Sequence, residues 1–150
     1  MMQSGGAEAF LHGLSGALSL PGLSFNEDSV CCLFVPGGLE VQIEWVPAEH
    51  LLLLLSPIGE LGDDPEGSRA RELLAANFLF AGTRGETLSL EGETGRIFLC
   101  ARIESAQVSI EHALDLFTRF IDTAERWRAH LEAGPASARP MPAGGGFLKG

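Results

Sequence analysis

Apolar and polar positions alternate along this chain with two different periods, and the switches between them mark the elements. From Ala7 to Leu20 the apolar residues Phe10, Leu11, Leu14, Ala17 and Leu18 recur at spacings of three and four, which predicts an amphipathic helix stopped by Pro21-Gly22. Ser4 is the expected N-cap, ahead of Gly5 and Gly6. The period then changes to two. Val30–Val35 is continuously apolar and ends at the turn signal Pro36-Gly37-Gly38. In Leu39–Val46, Leu39, Val41, Ile43 and Trp45 share one face, with Glu40, Gln42 and Glu44 on the other. After Pro47-Ala48-Glu49, His50–Leu55 is apolar on both faces. Links this short predict an antiparallel meander rather than βαβ units.

The second half repeats the switch. Residues 56–67 read as a polar, acidic loop, and Ser68 is placed to cap a helix running to about Ala81 and closed by Gly82. Ala70, Leu73, Leu74, Asn77 and Phe78 lie along one side of it. Thr87–Glu91 and Arg96–Ile103 predict a hairpin across Gly92–Gly95. Ser109 caps a last helix whose stripe contains Ala113, Leu114, Phe117, Phe120, Ile121, Ala124 and Leu131, ending at Ala133-Gly134-Pro135. The order is αβββαββα. It predicts an α+β fold with an antiparallel twisted sheet flanked by helices, one domain over residues 1–133, and a disordered Pro/Gly-rich tail over 134–150.

Composition narrows the function classes. A chain of 150 residues with 45% hydrophobic content can build one core. Its apolar runs, Val30–Val35 and Leu51–Leu55 among them, are far too short for a membrane span, and no basic residue precedes the first apolar segment as in a signal peptide. A cytoplasmic protein without membrane insertion is expected. Net charge is −10, and its distribution is uneven. Residues 1–68 contain ten Asp and Glu and no Lys or Arg, whereas residues 69–150 contain ten of each sign. An acidic half disfavours nucleic acid as a partner and suits a basic or polar segment. Acidity also keeps an apolar protein soluble.

Catalytic chemistry is hard to assemble from this sequence. His12, His50, His112 and His130 fall on different elements and form no ligand pair at four-residue spacing. Cys31, Cys32 and Cys100 sit in apolar runs and read as reduced core thiols. No Gly-rich loop leads into Lys-Ser/Thr, and Gly82-Thr83-Arg84-Gly85 follows a helix and precedes a strand, the reverse of a phosphate cradle. Asp63, Asp64 and Glu66 lack the ligand alternation of a calcium loop. No cofactor, no metal and no enzyme activity are expected. The remaining candidate chemistry is apolar surface: Phe10, Leu14 and Leu18 on the first helix, and Phe34, Ile43 and Trp45 on the strands, as a groove for a partner. Trp127 either packs on the sheet or rims such a surface.

Four stretches, in order, carry a resemblance. They are Leu20–Leu23 leading into Ser24-Phe25-Asn26-Glu27 and Cys32-Leu33-Phe34; Ala76-Asn77-Phe78-Leu79; Thr83, Gly85, Thr87-Leu88 and Leu90; and Ala124-Glu125-x-Trp127-Arg128-x-x-Leu131. Together they resemble the Tir-chaperone (CesT-like) family of type III secretion chaperones, class I effector chaperones, from about Phe10 to Leu131. Departures are Gly59-Glu60-Leu61-Gly62, which lacks the family's proline, and Phe80 and Glu86, where smaller residues are common. The resemblance implies a bacterial cytoplasmic homodimer, with Leu73, Leu74, Asn77, Phe78, Leu88 and Leu90 at the dimer interface. It implies that the N-terminal segment of a secreted, virulence-type effector binds in extended form and is kept export-competent, with the secretion ATPase as a further contact. A same-fold regulatory protein that sequesters an activator or anti-activator is the alternative, and a small-molecule binder or enzyme ranks after it.

Overall fold

The computed structural model describes residues 4–134. The side chain of Ser4 and residues 135–150 lie outside the described residues, and with them the expected N-cap and most of the Pro/Gly-rich tail. The order is α1 (Ser4–Leu18), β1 (Val30–Phe34), β2 (Glu40–Val46), β3 (Leu51–Glu60), α2 (Ser68–Asn77), β4 (Thr87–Leu90), β5 (Arg96–Glu104) and α3 (Ile110–Glu132). Short 3-10 turns fill Pro47–Glu49 and Phe78–Phe80. The strands form one five-stranded sheet in the order β1-β2-β3-β5-β4. The expected αβββαββα order and α+β class are what the structure has.

The chain divides into two compact units, Met1–Ser56 with Arg102–Ile121, and Pro57–Ala101 with Asp122–Gly150. In the first, β1, β2 and the start of β3 form an antiparallel meander with Phe34 opposite Glu40, Cys32 opposite Gln42 and Gln42 opposite Leu55. The β1–β2 link has Pro36 followed by Gly37 at φ 100°, with Gly38 N donating to Val35 O at 2.9 Å, the pattern of a type II turn. Val41, Ile43, Trp45, Leu52 and Leu54 are buried, as are Phe10, Leu11 and Leu14 of α1 and Phe117 and Phe120 of α3. Phe10 meets Phe117 edge-on at 6.1 Å, and a Cβ on Gly13 would stand 3.3 Å from Leu114, so α1 lies close against α3.

In the second unit β4 and β5 pair antiparallel, with Leu88 opposite Leu99. Trp127 is fully buried, donates Nε1–H to Gly82 O at 3.0 Å and packs edge-on against His130. His130 Nε2 lies 2.7 Å from Glu72 Oε2, while Arg69 holds the other oxygen of that carboxylate at 2.7 Å. Trp127 is thus a packing residue, resolving one of the two readings open from sequence.

Three expectations need correction. β3 does not end at Leu55 but runs to Glu60, because the Ser56 hydroxyl donates to Glu40 O at 2.6 Å and Ile58 returns to the core. Ser68 does not cap α2. Asp64 does so from the acidic loop, its two oxygens accepting from Arg69 N (3.1 Å) and Ala70 N (3.0 Å). The helix stops at Asn77 rather than Ala81, because Leu79 (φ 50°) and Phe80 (φ 59°) adopt left-handed conformations that a helix cannot continue through. At α3, Ser109 Oγ accepts from His112 N at 3.1 Å, as expected of its cap.

Candidate functional site

Two surfaces stand out, one in each unit. In the second unit the helix end and the strand after it expose Leu74 (71%), Phe78 (66%), Leu79, Phe80 and Leu90. The local sequence makes this display unavoidable. Phe78-Leu79-Phe80 places three large apolar residues in a row, and one helix face cannot bury them all. The kinked turn that holds them is pinned at three points. Asn77 Nδ2 donates to Leu88 O at 3.0 Å, and Leu88 N donates back to Asn77 Oδ1 at 2.9 Å, so the amide imitates a strand partner for β4. Gly82 N donates to Ala76 O at 2.9 Å, and a Cβ on Gly82 would lie 2.8 Å from Ala76 Cβ, an approach open to glycine alone. The Trp127 indole then holds the Gly82 carbonyl. Beyond the turn, Arg84 (φ 57°) pairs with Asp122.

Of the six residues expected at a dimer interface, Leu74, Phe78 and Leu90 are exposed here. Leu73 (7%) and Leu88 (5%) are buried in the unit itself, and the Asn77 amide is committed to Leu88. Leu79 and Phe80, not among those six, join the surface, and the unbroken apolar triplet is the signal for them.

In the first unit β1 is the edge of the sheet. Ser29 O accepts from Trp45 N at 2.9 Å and Val35 N donates to Leu39 O at 3.0 Å, so the odd residues of β1 face β2. The even ones, Val30, Cys32 and Phe34, turn their backbone groups to the open edge. Asn26 takes those of Val30: its Oδ1 accepts from Val30 N at 3.0 Å and its N donates to Val30 O at 2.9 Å. Cys32 and Phe34 have no such cap among the described residues. Their side chains are exposed too, Phe34 by 64%.

The groove expected around α1 is corrected. Phe10 (0%), Leu14 (2%), Ile43 (0%) and Trp45 (7%) are core, because each lies on the inward face of its helix or strand. Leu18 is half-buried, and Phe34 alone of the six is widely exposed. Cys32, read as a core thiol, is on the outward face, and Cys100 is half-buried beside the Ser89 hydroxyl. Burial pushes the Cys31 thiol up, the neighbouring Cys32 adds to this, and a backbone N–H from Ser24 opposes it. Burial likewise raises Cys100, with Ser89 opposing.

Among the described residues no group of three His, Cys, Asp or Glu is placed to hold a metal ion, and no helix is long and apolar enough to cross a membrane. A shallow groove of about 410 Å³ runs along Ile58–Glu60 and the Arg128–Glu132 end of α3.

No curated protein matches the sequence. Solved structures do match the fold. A chain of the ExsC–ExsE complex superposes with a TM-score of 0.75 at 22% identity, covering 92% of this chain and 100% of that one. A chain of the HopA1–SchA chaperone–effector complex gives 0.64 at 17% identity, covering 82% and 93%. The Yersinia pestis type III secretion chaperone SycH, in complex with a stable fragment of YscM2, gives 0.61 at 17%, covering 79% and 97%. The model of one family matches from residue 9 to residue 128, nearly the whole described chain, and by that match the chain belongs to the Tir chaperone protein (CesT) family.

Proposed function

We propose that this protein is a type III secretion chaperone that works as a homodimer and holds the N-terminal segment of a secreted effector in extended, export-competent form. The observation that carries the reading is the pinned apolar surface of Leu74, Phe78, Leu79, Phe80 and Leu90, large apolar side chains each at least 47% exposed in the single chain. A two-fold axis through it buries the same patch from both copies at once. The open edge of β1 at Cys32 and Phe34 supplies the second requirement, a template on which an extended segment gains main-chain hydrogen bonds. Ordering such a segment costs roughly 2–5 kcal/mol, which strand pairing and apolar contact have to offset. The chaperone–effector complex among the fold relatives supports this division of labour. Holding a client requires no catalytic group and no cofactor in this chain, and release falls to other components, with the secretion ATPase the expected contact. A regulatory protein of the same fold would use the same surfaces, and export of the bound partner separates the two readings.

Light scattering on the size-separated protein tests the dimer. The wild type should run near twice 15.9 kDa, and Phe78→Glu should run as a folded monomer, because it places an unpaired charge in an apolar interface. A monomeric wild type at micromolar concentration overturns the dimer; an intact Phe78→Glu dimer overturns its placement.

A further inference from the structure

On the outward face of the first unit, Phe34 of β1 stands directly opposite Glu40 of β2. Because the Phe34 backbone faces the open edge, this is a pair without mutual hydrogen bonds, the kind whose side chains approach most closely. The ring is 64% exposed. Glu40 keeps partial exposure and has no ion pair among the described residues, and no Lys or Arg precedes Arg69 in the chain. An aromatic face and a free carboxylate therefore sit side by side, next to two backbone positions open to strand addition. Gln42 and Glu44 continue the polar row along β2.

We propose that Phe34 and Glu40 form a specificity site for an arginine or lysine of the bound segment, so that clients of this chaperone carry a cation at the residue that pairs beside Phe34. This rests on the chaperone reading above. The ring attracts the cation electrostatically, and the carboxylate beyond it accepts a charge-assisted hydrogen bond. A segment added at the edge lies one strand spacing from Phe34 and two from Glu40, roughly 10 Å, a span suited to a long cationic side chain lying across the ring. The second unit already contains the first half of this contact, with the Arg96 guanidinium 5.0 Å over the Phe98 ring. Phe34 by itself is only an apolar contact, and Glu40 by itself only a surface charge. Side by side they select a cation.

Selection of short random peptides displayed on phage tests this, against the immobilised wild type, Glu40→Gln and Phe34→Leu. Wild type should recover peptides with alternating apolar positions and Arg or Lys enriched about tenfold at one fixed place. The enrichment should vanish on Glu40→Gln and fall on Phe34→Leu. The synthesised consensus should bind Glu40→Gln about tenfold more weakly at low salt, with the gap closing at high salt as the pair is screened. Recovery of alternating peptides with no cation, or with the same cation on Glu40→Gln, overturns the specificity site and leaves the chaperone reading standing. If wild type recovers no extended peptide at all, both fall.

Discussion

Truncating Asn77 to alanine should destabilise the fold far more than its position at a helix end suggests. The side chain makes two hydrogen bonds, Nδ2 to Leu88 O and Oδ1 from Leu88 N, at 3.0 and 2.9 Å. Each is worth about 1 kcal/mol net, and removing one partner leaves the other group unsatisfied at a further cost of about 1–3 kcal/mol when water cannot replace it. Leu88 is 5% exposed, whereas Asn77 is only half-buried, so water recovers part of that cost. A loss of about 2–3 kcal/mol follows, or about 5–10 °C in Tm for a chain of this size. Urea unfolding followed by far-ultraviolet circular dichroism measures it, at fixed protein concentration because any self-association adds to apparent stability. Asn77→Asp is the sharper control. It keeps the acceptor for Leu88 N but sets a carboxylate oxygen against Leu88 O. It should be at least as unstable as Asn77→Ala at neutral pH and should recover on acidification, when the protonated carboxyl donates. A loss under about 0.5 kcal/mol for Asn77→Ala would refute the account, since it falls below a single ordinary hydrogen bond.

Leu79→Gly should leave the monomer as stable or up to about 1 kcal/mol more so, because glycine accepts φ 50° without the penalty borne by leucine, yet it should weaken self-association through loss of an exposed apolar side chain. Thermal melts at low concentration and light scattering on dilution separate the two effects; marked destabilisation of the monomer would contradict the strain argument. Thiol titration of the native protein should label Cys32 first and Cys31 last, since one is exposed and the other 3% exposed. Cys31 is raised above the ordinary 9.0, so the native state keeps a proton that the unfolded chain loses. Stability is therefore full below that value and falls as pH rises through it; a Cys31→Ala variant should lose that part of the alkaline slope.

The order of elements was legible because each period persists long enough to bury a face. The alternation in Leu39–Val46 predicts which side of β2 is core, and Val41, Ile43 and Trp45 are there. The same regularity does not separate a binding groove from a core, and Phe10, Leu14, Ile43 and Trp45 are buried. A continuous apolar stripe on α1 and β2 is what a partner surface looks like in sequence, and also what a core looks like; which one it is depends on whether the chain itself covers it. The misses share a second cause, satisfaction of a polar group by a residue remote in sequence. Ser56 reads as a strand end until Glu40 O accepts its hydroxyl, and Asp64 reads as solvated loop until two helix amides turn towards it. The kink after Asn77 was beyond propensity altogether, since leucine and phenylalanine are poor candidates for positive φ.

That kink bears on whether the exposed apolar surface is built or incidental. Scattered exposed leucines need no explanation. Here two bulky residues are held left-handed, each at a cost of roughly 1–2 kcal/mol, and the polypeptide offsets this with Asn77 on Leu88, Gly82 against Ala76 and the Trp127 indole on the Gly82 carbonyl. A chain under no demand to present Phe78, Leu79 and Phe80 could replace Leu79 with glycine and Phe80 with a polar residue, losing strain and exposed apolar area together. Strain at Leu79 and Phe80, anchors on either side at Asn77 and Gly82, and exposure of Phe78, Leu79 and Phe80 together are the arrangement expected when the turn is shaped for contact. The edge at Cys32 and Phe34 is kept differently: among the described residues neither has the cap that Asn26 gives Val30. One surface is thus enforced by packing within its unit and the other left open by unpaired backbone. Substitutions at Phe78 and at Glu40 should accordingly separate self-association from client selection.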